Sequence, residues 1–124
     1  EQWAKTVAGV LKTSHVVLEK VRLGDLEVKV EVGERGVFEG KDVLIVDDII
    51  STGGTIEAAV KKVREMGAER VYVACAHAIL ASNAEYRVFH AGVEELVASD
   101  TVPSPYSVVS AAPVVAEYIR KNIA

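Results

Sequence analysis

Cysteine occurs once in the 124 residues, methionine once, and aromatic residues make up only 6%. A single cysteine excludes a disulfide framework and a cysteine-based zinc site. There is no lysine or arginine run. The 14 basic residues are outnumbered by 18 acidic ones, for a net charge of −4. That balance argues against an electrostatic nucleic-acid binder. No apolar stretch approaches the roughly 20 residues that a bilayer span requires, and no signal-peptide pattern opens the chain. No nucleic acid and no membrane are therefore expected as partners, and a cytoplasmic location is expected. Asn, Gln, Met and Cys are all scarce, a pattern found in heat-adapted proteins.

What remains is ordinary globular material, 50% hydrophobic and 26% charged, with valine prominent. The length suits one domain over 1–124. The chain opens Glu1-Gln2-Trp3, without methionine, and runs straight into an amphipathic stretch with Trp3, Val7, Val10 and Leu11 on one side. A native start rarely falls inside a helix, so a longer polypeptide is expected.

The periodicity predicts a helix over 1–12 and a strand from His15 to Arg22. A turn at Leu23-Gly24-Asp25 then leads to a strand in which Val28, Val30 and Val32 alternate with Lys29 and Glu31. The pair reads as a β-hairpin. A glycine-bounded loop, Gly33 to Gly40, precedes Val43-Leu44-Ile45-Val46, an apolar run of the kind covered on both faces. A helix from Thr55 to Met66 puts Ile56, Ala59, Val60 and Val63 on one stripe and stops at Gly67. A strand over Val71 to Ala76 follows. A capping box, Ser82-Asn83-Ala84-Glu85, opens a helix to Ala91. A strand over Glu95 to Ser99 comes next. A last helix from Pro113 to Asn122 turns Val114, Val115, Tyr118 and Ile119 inward. Alternating strands and helices predict an α/β domain with a parallel sheet flanked by helices.

Ligands of such sheets bind beyond the carboxyl ends of the strands. The loop there reads Asp47-Asp48-Ile49-Ile50-Ser51-Thr52-Gly53-Gly54-Thr55. Its second half offers hydroxyls at Ser51, Thr52 and Thr55. Gly53 and Gly54 let backbone amides turn inward where a helix begins. That is an anion nest at the positive end of a helix dipole, sized for one phosphate. Asp47 and Asp48 would repel phosphate, but carboxylates accept well from a vicinal diol. A sugar phosphate satisfies both halves, and a hydrated Mg²⁺ suits the carboxylates. The lysine of a P-loop and the Gly-x-Gly-x-x-Gly of a dinucleotide fold are both absent.

Val43 to Thr55, VLIVDDIISTGGT, resembles the phosphoribosyl pyrophosphate (PRPP) signature of type I phosphoribosyltransferases and of the ribose-phosphate pyrophosphokinase (PRPP synthetase) family. Glu19-Lys20-Val21-Arg22, Gly67-Ala68-Glu69-Arg70-Val71-Tyr72, Cys75-Ala76-His77 and Ala112-Pro113-Val114-Val115-Ala116-Glu117 are similar to the synthetase's C-terminal domain. The resemblance implies a type I phosphoribosyltransferase-like fold with the hairpin as a flexible loop. It implies transfer of the β,γ-diphosphoryl group of ATP to the C1 hydroxyl of ribose 5-phosphate, giving PRPP and AMP, with Mg²⁺ as cofactor. It further implies that Asp47 and Asp48 bind the ribose hydroxyls and that Ser51, Thr52, Gly53, Gly54 and Thr55 hold the 5-phosphate. Lys20 and Arg22 match a catalytic Lys-x-Arg whose two cations stabilise the transferred phosphates. Outside the resemblance they are same-side cations on a hairpin strand, a pattern that a solvated face also gives. Ala76 and Ala81-Ser82 depart from the family, which has Thr and Ser-Gly there. An upstream ATP-binding domain and a homo-oligomer are implied partners, and the present chain is expected to be inactive without that domain.

Two other readings use the same motif: a free-standing phosphoribosyltransferase acting on PRPP and a nucleobase, and a non-catalytic PRPP-sensing module. His15 is expected in a loop or at a strand edge, His90 at a helix end, His77 at a strand end with an open role, and Cys75 as a small buried hydrophobe. Trp3 is expected in the core or at a subunit contact.

Overall fold

A computed structural model of the chain describes residues 2–22, 28–31 and 36–123, without the side chains of 2, 19–22 and 28–31. Helix α1 (Gln2–Leu11) is followed by β1 (Glu19–Arg22) and β2 (Val28–Glu31), which pair antiparallel with Lys20 opposite Val30 and Arg22 opposite Val28. The turn at 23–25, Val32 and the start of the Gly33–Gly40 loop lie outside the described residues. The predicted strand from His15 is shorter than expected. Residues 13–18 form no strand, because Val16 and Leu18 pack against the core instead of pairing.

The rest is a parallel sheet in the order β3-β4-β5-β6, with β3 (Asp42–Ile50), β4 (Arg70–Ala78), β5 (Val93–Ser99) and β6 (Ser107–Val109). Helix α2 (Gly54–Glu65) links β3 to β4, and α3 (Ala84–His90) links β4 to β5. Valine dominates because β-branched side chains fit a pleated, buried surface. Val71 and Val73 of β4 are fully buried, with Cys75 beside them on the same face. Ile56, Ala59, Val60 and Val63 of α2 close over the sheet as the periodicity predicted. Gly67 ends the turn after α2 with φ +91°, a conformation that suits glycine, and a Cβ there would stand 3.2 Å from Glu39. At the amino end of the sheet, Arg70 and Asp42 face each other in register and form an ion pair at 3.1 Å, which raises the Arg70 pKa.

Four further expectations change. Strand β3 runs on through Asp47 and Asp48 to Ile50, where the sequence suggested a loop. It does so because Asp47, Ile49 and Ile50 stay in register with Cys75, His77 and Ala78 of β4. The capping box at Ser82 does not form. Ser82 takes a left-handed φ of +55°, α3 begins at Ala84 without a side-chain cap, and Glu85 accepts the Tyr106 hydroxyl instead. That bond, aided by burial, pushes the Tyr106 pKa up to about 12. Strand β6 had no sequence signal. It is only three residues long, and it is held by amide bonds from Ala98 to Tyr106 and from Asp100 to Val109, both at 2.9 Å.

The fourth change concerns α4 (Ala112–Asn122). Its Val114, Val115, Tyr118 and Ile119 share a face as predicted, but that face is exposed, with Val114 at 72%. Trp3 is also half-exposed, over an apolar cavity of about 440 Å³ between α1 and β3 that Val7, Leu11, Val16 and Leu44 help to line.

The contrast between α2 and α4 predicts two different mutational costs in this 124-residue chain. Val63→Ala, at 0% exposure, should lower unfolding free energy by about 2 kcal/mol. Val114→Ala should stay within about 0.5 kcal/mol of the parent. Urea denaturation at constant m-value measures both.

Candidate anion site at the carboxyl end of β3

The strand β3 delivers Asp47 and Asp48 to the carboxyl edge of the sheet, and the chain then turns through Ser51, Thr52 and Gly53 into α2. What shapes the turn is where its carbonyls go. Ile79 and Leu80 each donate an amide to the Ile50 carbonyl at 3.0 Å, and Ala81 donates to the Ser51 carbonyl at 2.8 Å. In an extended strand successive carbonyls alternate direction. Here two in succession are drawn to the segment leaving β4. A trans peptide holds C=O and N–H in opposite directions, and no peptide among the described residues is cis. The amides of Ser51 and Thr52 therefore turn away from that segment.

Gly53 completes the turn as the N-cap of α2, with φ +82° and its carbonyl accepting from Glu57 at 2.8 Å. Only glycine is unstrained there. A Cβ would also stand 3.2 Å from the Ala84 backbone, so α3 packs directly against the turn. The first amides of α2 have no acceptor within the helix. They form the positive end of its dipole, an arrangement suited to a singly bound phosphate.

All of Asp47, Asp48, Ser51, Thr52, Gly53, Gly54 and Thr55 line one cleft of about 470 Å³, joined by Ile49, Ile50 and Ile56. The sequence thus named the polar lining of a single cavity, although Thr55 belongs to the first turn of α2 and the aspartates to β3. Asp47 Oδ1 accepts the Asp48 amide and Asp48 Oδ1 accepts the Ile49 amide, both at 2.8 Å. The Asp48 carboxyl is held below the usual carboxylate range, first by a side-chain hydrogen bond with Asp47 and then by the Ile49 amide, with the nearby His77 helping. It is solvent-exposed and remains an ionised acceptor through neutral and mildly acidic pH.

His77 lies near the end of β4, and its Nδ1 meets the Thr101 hydroxyl at 2.6 Å. Thr101 and Ser99 both donate to the Ala76 carbonyl, at 3.1 and 2.6 Å. His77 is thus tied to a hydroxyl cluster beside Asp48, whereas His15 is an exposed loop residue and His90 ends α3, stacked on Tyr86. Cys75 is buried, which pushes its thiol pKa up and keeps it inert. Lys20 and Arg22 sit on β1, and their side chains lie outside the described residues. Sequence reading missed Arg87 of α3, whose guanidinium reaches both Glu57 and the Thr52 carbonyl. No local sequence signal points to those partners, which lie 30 and 35 positions away.

Residues 2–106 match the phosphoribosyl transferase domain. The chain belongs to that family. The ribose-phosphate pyrophosphokinase of Methanopyrus kandleri is 44% identical over 117 residues, which is 94% of this chain and 40% of that protein. Ribose-phosphate pyrophosphokinase 1 of Archaeoglobus fulgidus is 46% identical over 114 residues, 92% of this chain and 39% of that protein. The crystal structure of phosphoribosylpyrophosphate synthetase from Mycobacterium smegmatis superposes with a TM-score of 0.68 at 32% identity, covering 97% of this chain and 39% of that one. This phosphoribosyl transferase domain therefore spans about 40% of the length of these curated relatives. Its α/β fold with a parallel sheet agrees with the fold expected from the sequence.

The geometry separates the two glycines of the turn. Gly53→Ala adds a strained φ and a contact at 3.2 Å, and should cost about 1–3 kcal/mol of stability. At Gly54 a Cβ finds its nearest neighbour at 3.5 Å, and Gly54→Ala should change stability by less than about 1 kcal/mol. Thermal unfolding of the two variants against the parent checks the order.

Proposed function

We propose that residues 1–124 form a single ribose 5-phosphate- and PRPP-binding domain of a PRPP synthetase. The complete protein would transfer the β,γ-diphosphoryl group of ATP to the C1 hydroxyl of ribose 5-phosphate, yielding PRPP and AMP. The observation that carries the reading is that the Asp47–Asp48 pair and residues 51–55 of the following turn line one cleft at a strand end. The names of the two archaeal relatives, which match 94% and 92% of this chain, support it.

In this reading Ser51, Thr52, Gly53, Gly54 and Thr55 hold the 5-phosphate through hydroxyls and outward amides. Asp47 and Asp48 accept hydrogen bonds from the ribose hydroxyls and orient the ring. The C1 hydroxyl oxygen forms a bond to the β-phosphorus of ATP, the bond from that phosphorus to the oxygen bridging to the α-phosphate breaks, and AMP leaves as the hydroxyl proton is lost. Such transfer depends on positioning and charge stabilisation. Lys20 and Arg22 on the hairpin supply cations for the moving phosphates.

No group of three or more His, Cys, Asp or Glu gathers among the described residues. Mg²⁺ is commonly held by one or two carboxylates plus substrate phosphates and water, and the Asp47–Asp48 pair fits that pattern. Bound there, the ion would neutralise phosphate charge. ATP would come from an upstream domain of the complete protein, working in the cytoplasm as a homo-oligomer. No described helix is long and apolar enough to cross a membrane.

Calorimetric titration with ribose 5-phosphate, with and without Mg²⁺ and with ribose as control, tests the reading. Saturable, phosphate-dependent heat supports it. Base-dependent pyrophosphate release from PRPP by the complete protein would instead favour a nucleobase phosphoribosyltransferase, and PRPP binding without turnover a sensing module. The division of labour has its own signature. Asp48→Asn should weaken ribose 5-phosphate about tenfold, the loss of one charge-assisted hydrogen-bond acceptor, and leave inorganic phosphate nearly unchanged. The double change Thr52→Val with Thr55→Val should weaken both ligands.

The pH dependence follows from the lowered Asp48 pKa. A carboxyl with a depressed folded pKa contributes above its unfolded value of 3.8 and loses that contribution only as pH falls through the folded value. From pH 8 to pH 5 its charge is constant. Binding should therefore weaken on acidification only as the ligand phosphate gains its proton, near about pH 6. The same midpoint is expected in Asp48→Asn, and a midpoint that moved with this substitution would contradict the assignment.

A further inference from the structure

Acidic residues beside an anion site need an explanation, and Glu57 is one to which the diol reading gives no role. It lies in the first turn of α2, directly after the nest. An acid there suits the helix dipole but opposes a bound phosphate. Two cations meet it: Arg87 Nε at 3.4 Å from Oε2 and Lys61 Nζ at 3.6 Å from Oε1. Lys61 is a neighbour on the exposed surface of the same helix, a kind of pair that contributes little. Arg87 comes from α3, is only 39% exposed, and does a second thing with the same guanidinium. Its Nη1 donates to the Thr52 carbonyl at 3.3 Å.

That second bond extends the pattern of the turn. The Ile50 and Ser51 carbonyls are taken by amides of 79–81, and the Thr52 carbonyl, next in line, is taken by Arg87. Peptide planarity then directs the Gly53 amide away from α3. Arg87 Nη2 also lies 3.5 Å from where a Cβ on Gly54 would stand, so the guanidinium reaches from the Thr52 carbonyl to the start of α2. We infer that Arg87 is a positioning residue of the phosphate site: it fixes the Thr52–Gly53 peptide with its amide outward and neutralises Glu57 from behind. It works through the loop and touches no ligand itself. The inference rests on the reading that residues 51–55 bind the 5-phosphate, and it adds the residue on which that binding depends.

The test compares Arg87→Gln, Arg87→Lys and the double variant Arg87→Gln with Glu57→Gln in the complete polypeptide. The readouts are KM for ribose 5-phosphate, kcat, and Kd for inorganic phosphate. Arg87→Gln should raise both KM and the phosphate Kd on the order of tenfold, as for loss of a charge-assisted contact, with kcat changed less than KM. Arg87→Lys keeps the charge but not the fork and should recover part of the loss. The double variant should bind phosphate more tightly than Arg87→Gln alone, because the acid left with only the exposed Lys61 as partner is gone. A purely structural arginine predicts no such recovery, and neither does an arginine that merely packs. Unchanged KM and phosphate Kd in Arg87→Gln, or no recovery in the double variant, would overturn the inference. If Arg87→Gln fails to fold, the partial loss expected in Arg87→Lys decides the question by itself. Parent protein that ignores phosphate would instead refute the phosphate reading on which the inference stands.

Discussion

Backbone carbonyls at the end of β3 are drawn to one side, and the site depends on that constraint. The amides of Ile79, Leu80 and Ala81 take the carbonyls of Ile50 and Ser51. They can do so only because β3 and β4 remain in register as far as Ile50 and Ala78. The turn then cannot alternate as a strand would, and its amides face outward together. Gly53 is needed where the chain swings into α2, and α3 closes behind it at contact distance. The valine-rich core of α2, β4 and β5 is what holds α2 and α3 at that distance.

Charge is arranged on the same frame. The chain carries an excess of acid overall, yet the cleft combines an anion nest with carboxylates. Separation along the chain makes this workable. Asp47 and Asp48 lie within β3, ahead of the turn, where in the proposed reading they serve a neutral diol. Glu57, beyond the nest, is covered by Arg87 and Lys61. The amide bonds that Asp47 and Asp48 accept from the next residue hold both carboxylates near the backbone.

How much of this could be read from the sequence follows from the range of each interaction. The string from Asp47 to Thr55 was legible because hydroxyls, glycines and a helix start are local signals, and its five polar residues and two glycines do line one cleft. The end of β3 was misjudged because aspartates weaken a strand signal, while pairing with β4 overrides it. Arg87 was invisible because its partner Thr52 lies 35 positions away, across an intervening strand. Ser82 matched a capping box in letters, but its left-handed backbone and the claim of Tyr106 on Glu85 redirect both capping groups. In α4 the apolar stripe was read correctly and its burial was not, since periodicity reports a face and not what covers it.

The central claim is that the amides and hydroxyls of 51–55 form a preshaped phosphate nest. Its most direct test is amide ¹H–¹⁵N NMR of the isotope-labelled chain, titrated with inorganic phosphate, ribose 5-phosphate and ribose. The account predicts saturable downfield shifts centred on Gly53, Gly54 and Thr55 with both phosphates and none there with ribose. Shifts centred on another part of the chain, or equal responses to ribose and ribose 5-phosphate in the nest, would contradict it.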